Sequence, residues 1–206
     1  MIRKLTLAAL SVAALSACTT TSSNTVAVGA SDTQISAFKC PTGIRVENED
    51  RSTVEYKGAT SDPTVCAVRT GRASTPMLYG IQTVNVKSLR EVRSGLADLF
   101  PLSVGKKSYF MTFDETYPGR YWTERYEVLR QEPISVGADS FDAFVLQWIN
   151  ISGGGSEHIY TYWIDTKTGV VLKKEGQWRS GVPLKEASVT AEKVISATGS
   201  RVTATN

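Results

Sequence analysis

Over most of this chain large apolar residues return at every second position, the period that sends side chains to alternate faces of a β-strand. The segments Gly43 to Glu47, Thr53 to Lys57, Thr64 to Arg69 and Leu78 to Asn85 are rich in Val, Ile, Thr and Tyr. Turn clusters such as Asn48-Glu49-Asp50 and Gly58-Ala59-Thr60-Ser61-Asp62-Pro63 separate them, which predicts four short strands. Longer strands follow at Tyr121 to Arg130, Phe141 to Ile151, Ile159 to Asp165 and Val170 to Trp178, with a last one near Ala187 to Ile195. In Phe141 to Ile151 one face carries Phe141, Ala143, Val145 and Ile149 and the other Phe144, Leu146 and Trp148. A strand apolar on both sides needs cover on both sides.

One segment breaks the period. Leu89, Val92, Leu96 and Leu99 recur at intervals of three and four, and Ser88-Leu89-Arg90-Glu91 has capping-box spacing, so a helix is expected over about 88–100, stopped by Pro101. Gly95 in its middle should weaken it by about 1 kcal/mol relative to alanine. The expectation is a mainly β fold, an antiparallel sheet with one covering helix.

The first residues follow another rule. Met1-Ile2-Arg3-Lys4 is cationic, an apolar run extends from Leu5 to Ala14, and Leu15-Ser16-Ala17-Cys18 ends it. This is the pattern of a secretory signal, and the run is shorter than the roughly 20 residues a spanning helix requires. The tetrapeptide resembles the lipobox of bacterial lipoprotein precursors. That resemblance implies cleavage before Cys18, lipidation of its thiol, and membrane attachment through acyl chains worth roughly 0.8 kcal/mol per buried methylene. Thr19 stands where lipoproteins retained in the inner membrane of enteric bacteria typically carry Asp, so the resemblance implies an outer-membrane, periplasm-facing location. Residues 18–37, rich in Thr, Ser and small side chains, read as a flexible tether. Residues 38–206 then form a single antiparallel β domain.

Charge adds little. The chain has 23 basic and 20 acidic residues, and removing Arg3 and Lys4 with the signal leaves 21 against 20. Such a balance suggests neither a nucleic-acid partner nor a basic membrane footprint. With Cys18 assigned to lipid, Cys40 and Cys66 remain as a pair in an exported chain, and a disulfide between them is expected. Two buried free thiols are the main alternative. A metal site is poorly supported, because the chain has one histidine, His158, and no Cys-x-x-Cys spacing.

Two further resemblances bear on the fold. Phe100-Pro101-Leu102-Ser103-Val104-Gly105-Lys106, Tyr126-Glu127-Val128, the stretch Glu132 to Phe144, and Tyr160-Thr161-Tyr162-Trp163-Ile164-Asp165 resemble a pattern shared by uncharacterised proteobacterial envelope proteins, covering residues 100–178. The sequence departs from it at Asp139-Ser140, in place of a glycine-containing turn, and at Asp165-Thr166, in place of a proline. Such proteins are similar in outline to the half-barrel lipoprotein-localisation factors, which implies a curved antiparallel sheet or half-barrel wrapping a helix or an acyl chain.

Catalytic chemistry is sparse. A nucleophile system would have to use His158, and no Gly-x-Ser-x-Gly elbow is present. Gly153-Gly154-Gly155 lacks the Lys-Ser/Thr of a phosphate loop and reads as a hairpin turn. No cofactor is implied. Fourteen of the eighteen aromatic residues lie between Tyr109 and Trp178, and Trp122, Tyr126, Phe144, Leu146, Trp148 and Trp163 are candidates to line an apolar ligand cavity. A packed aromatic core is the competing outcome. The expected function is that of a noncatalytic envelope lipoprotein binding a lipid-like ligand or an envelope partner. The alternatives are a structural or assembly lipoprotein with a filled core and a hydrolase using His158.

Overall fold

Eleven strands and one helix make up the computed structural model, which describes residues 38–84, 87–113, 119–183, 188–196 and 199–202. The signal segment, Cys18 and the tether lie outside the described residues. The elements run β1 (Thr42–Asn48), β2 (Thr53–Ala59), β3 (Val65–Thr70), β4 (Ala73–Leu78), β5 (Gln82–Thr83), α1 (Leu89–Ala97), β6 (Lys107–Phe113), β7 (Tyr121–Val136), β8 (Asp139–Ser152), β9 (Glu157–Asp165), β10 (Val171–Ser180) and β11 (Val189–Ser196). They form one curved, unclosed antiparallel sheet in the order β5-β4-β3-β2-β1-β11-β10-β9-β8-β7-β6, as the period-two pattern requires.

The last strand joins the two halves. β11 pairs with β1 over five positions from Ile44↔Ser196 to Asn48↔Ala191, but with β10 only at Lys173↔Thr190 and Lys174↔Val189. Across this short seam the Tyr56 hydroxyl accepts a 3.1 Å hydrogen bond from the amide of Val171. Burial pushes that phenol's pKa up to about 12.

The two-sided strands have cover on both faces. Val136, Phe141, Ala143 and Val145 join Val46, Val68, Leu172 and Val194 in one core. Tyr126, Val128, Leu146, Tyr160, Tyr162 and Ile164 join Val92, Leu96 and Leu99 in another. A register shift between Val128 and Arg130 is what lets β7 serve both, since an extra residue reverses the faces beyond it. Burying each Val or Leu in these clusters stabilises by about 1.5–3 kcal/mol.

Three local expectations need correction. Leu78 to Asn85 is not a continuous strand: after β4 the chain turns at Tyr79 and Gly80, both at positive φ, and only Gln82–Thr83 pairs again, against β4. The helix ends at Ala97 rather than near 100, because the amides of Leu99 and Phe100 bond three residues back, to the Leu96 and Ala97 carbonyls at 3.0 and 3.3 Å, and tighten the chain out of the helix; Leu99 nevertheless remains fully buried. The capping box does not form. Ser88 makes no side-chain cap bond, and its hydroxyl instead accepts the amide of Phe113, at the end of β6, at 2.7 Å.

Gly95 also has a different part from the one its propensity suggests. A Cβ there would be driven into the ring of Phe110, and the Gly95 carbonyl accepts a 2.6 Å hydrogen bond from Ser108 on β6. Close approach of helix to strand is what this glycine permits.

Candidate functional site

The register of β6 to β9 stacks rings from adjacent strands on the face that α1 covers. Tyr126 lies opposite Trp148, and Trp148 opposite Tyr160. The resulting row runs Phe110, Tyr126, Trp148, Tyr160, with centroid separations of 5.7, 5.6 and 4.6 Å. Lys174 on β10 ends it, its ammonium 4.9 Å from the Tyr160 centroid.

One carboxylate sits against this row. Glu124 is buried and accepts hydrogen bonds from Thr112 Oγ1 at 2.7 Å, Trp148 Nε1 at 2.6 Å and Asn150 Nδ2 at 2.9 Å. Burial raises its pKa, and the three neutral donors pull the other way. The same burial, with the Glu124 charge adding to it, holds the Tyr126 phenol well above its ordinary value; that hydroxyl donates to Gln82 Oε1. Sequence reading did not single out Glu124. The signal was there: it shares strand parity with Trp122, Tyr126 and Val128, an acid on an otherwise apolar face.

The six candidate cavity residues do not form one wall. Tyr126, Phe144, Leu146 and Trp148 share the α1-facing core, filled by Val92, Leu96, Leu99 and the Leu78–Ile81 turn. Trp163 is a correction: it pairs with Val145, faces the opposite side with the other core, and donates to Glu132 at 2.7 Å. Strict alternation separates it from Tyr162 and Ile164. Trp122 lies apart, 6.0 Å from the His158 ring.

The Nε2 of His158 lies 2.8 Å from the Val182 carbonyl. Cys40 and Cys66 are joined by a disulfide. Among the described residues no group of three or more His, Cys, Asp or Glu could hold a metal ion, and no helix is long and apolar enough to cross a membrane.

Two surface features are apolar. An apolar cleft of about 180 Å³ lies at the seam between the halves, lined by Val54, Val68, Met77, Ile81 and Leu172 with Lys174 beside them. This is below the roughly 300 Å³ at which ordinary ligand sites begin. The other is the outer face of β6. This strand turns Ser108, Phe110 and Thr112 to the core and exposes Tyr109, Met111 and Phe113, so its outer face is the more apolar of the two. Tyr121, directly opposite Phe113, extends the exposed row.

No family model matches the chain, and no curated protein matches it. A solved structure, the hypothetical lipoprotein YmcC from Escherichia coli (K12), is similar at 15% identity and a TM-score of 0.43, over 68% of this chain and 81% of that one.

Proposed function

We propose that this protein is a noncatalytic lipoprotein of the bacterial outer membrane, attached through lipid on Cys18, facing the periplasm and acting as a structural or assembly component with a filled core. The attachment rests on the sequence Leu15-Ser16-Ala17-Cys18 behind a cationic, apolar leader. The choice among binding modes rests on one observation: the aromatic face that would have walled a lipid cavity is packed against Val92, Leu96 and Leu99. The apolar seam cleft holds about 180 Å³, and the larger hollows, about 480 Å³ over Arg45, Glu55 and Lys57 and about 670 Å³ over Arg90, Glu91 and Arg93, are lined by charged side chains that do not suit an acyl chain.

Mass spectrometry of the membrane-extracted protein tests both parts. The reading expects an acylated Cys18 at the new N-terminus and, under native conditions, a mass with no further lipid. Cys18→Ser should leave the precursor unprocessed or release the protein from membranes. Normal processing with membrane retention in that variant overturns the attachment, and a stoichiometric fatty acid or phospholipid in the native spectrum overturns the filled-core assignment. If His158→Ala abolishes a hydrolytic activity of the purified protein, the noncatalytic assignment falls.

A further inference from the structure

We propose that the outer face of β6 and the start of β7 rests on the lipid surface that carries the anchor, so that the domain is oriented on the membrane and not merely tethered to it. This inference depends on the lipoprotein reading above.

The apolar outer face of β6 is the first ground. Its core-facing positions are Ser108, Phe110 and Thr112, the two hydroxyls bonded to Gly95 and Glu124 and Phe110 stacked on Tyr126, which leaves Tyr109, Met111 and Phe113 on the other face with nothing over them to match a second core. The large side chains stand outward at 63%, 52% and 55% exposure, with Tyr121 at 47%. Their margins are amphipathic. Arg125 lies 5.8 Å from the Tyr109 centroid, and Lys107 bridges to Glu127 at 2.9 Å. Tyrosine rings rimmed by long cations suit the headgroup level of a bilayer, where the rings sit at the boundary and the cationic heads reach water or phosphate.

Size is the second ground. Four side chains of roughly 200 Å² each, about half exposed, offer on the order of 400 Å². A stable protein interface takes about 800 Å² from each partner, so this patch is too small to hold a protein alone. It is large enough to settle a domain already confined to a surface.

The tether supplies that confinement. Residues 18–37 span 20 positions, with a root-mean-square reach of about 25 Å if flexible. The described chain begins at Phe38, which packs against Tyr79 and Phe100 at 4.9 Å. Met111, at the centre of the patch, is eleven residues from Phe100, at most about 40 Å along the chain, and 20 tether residues span up to about 66 Å when extended. Patch and tether root therefore lie within reach of the same lipid surface, and anchoring makes their meeting intramolecular.

The test uses the mature acylated protein carrying Met111→Cys or, as a control at the far end of the sheet, Arg72→Cys, each labelled with a nitroxide. The proteins are reconstituted into vesicles of phosphatidylethanolamine and phosphatidylglycerol. Accessibility of the Met111→Cys label to an aqueous nickel complex should fall several-fold on reconstitution, and its collision with oxygen should rise; the Arg72→Cys label should not change. If both labels stay in water while mass spectrometry shows acyl chains on Cys18, the inference is overturned and the lipoprotein reading stands. A chain without acyl groups overturns both. A Met111→Cys label that is aqueous in vesicles but shielded in native outer membranes assigns the face to a protein partner and overturns the membrane contact.

Discussion

The indole Nε1 of Trp148 donates a 2.6 Å hydrogen bond to the buried carboxylate of Glu124, on the oxygen that also accepts from Asn150, while Thr112 donates to the other oxygen. The acid, on β7, is thus held by neutral donors from the strands on either side of it, β6 and β8. Glu124→Gln should be accommodated, since the amide oxygen can accept from Trp148 and Asn150 while its nitrogen donates to the Thr112 hydroxyl. Glu124→Ala strands these buried polar groups and should cost about 3 kcal/mol, at roughly 1–3 kcal/mol for each unsatisfied group. Because burial raises this carboxyl's folded-state pKa, its contribution is complete below the ordinary carboxylate value and is lost as pH rises through the raised one. Urea denaturation across pH should show Glu124→Gln matching or exceeding the parent at neutral pH, with the difference closing in acid. A larger loss for Gln than for Ala would refute the network.

Gly95→Ala offers a test of opposing effects. Helix propensity favours alanine by about 1 kcal/mol, but the added methyl meets the Phe110 ring, and overpacking costs about 1–3 kcal/mol. We expect a net loss of thermal stability, partly restored by adding Phe110→Leu. Additive effects in the double-mutant cycle would show that the two residues are uncoupled.

Ser88 and Glu91 can be told apart by the same measurement. In a capping box both would matter. Here only Ser88 carries a structural bond, to the Phe113 amide, whereas Glu91 pairs with the exposed Arg90 at 3.2 Å. Ser88→Ala should lose about 1–2 kcal/mol, and Glu91→Ala less than about 0.5 kcal/mol. Equal losses would restore the capping reading.

The disulfide between Cys40 and Cys66 closes a loop of sequence separation 26 and should contribute roughly 3 kcal/mol through restriction of the unfolded chain. Both sulfurs belong to buried residues. Reductant should therefore act slowly on the folded protein, and Cys40→Ala/Cys66→Ala should lower the denaturation midpoint. A rapid native-state reaction would contradict the burial.

Much of the architecture was legible because burial imposes a period. Phe141 to Ile151 announced two covered faces, and the structure supplies two cores. What escaped was set by partners distant in sequence. Ala73–Leu78 contains small residues and Pro76, and it is a strand because Val65–Thr70 lies beside it. Lys107–Phe113 was missed because aromatic residues fall on both of its faces and hydroxyls flank the one that faces the core, which blurs the alternation. Trp163 shows the limit of reading aromatic residues as a group: composition places it with Trp148, but register puts it on the other side of the sheet. Glu124 could have been found from parity alone, as a charge where an apolar residue was due.

On the lipoprotein reading proposed above, the bond from Phe113 to Ser88 has a consequence for molecules that share a membrane. An unclosed sheet is a template for its own extension, and anchored copies meet at high two-dimensional density, conditions that favour strand-to-strand polymerisation. One end of this sheet is the two-residue β5, too short to nucleate growth. At the other, a hydroxyl at the start of α1 occupies the last amide of β6. On that reading, these ends would let anchored copies crowd the surface without strand-to-strand growth.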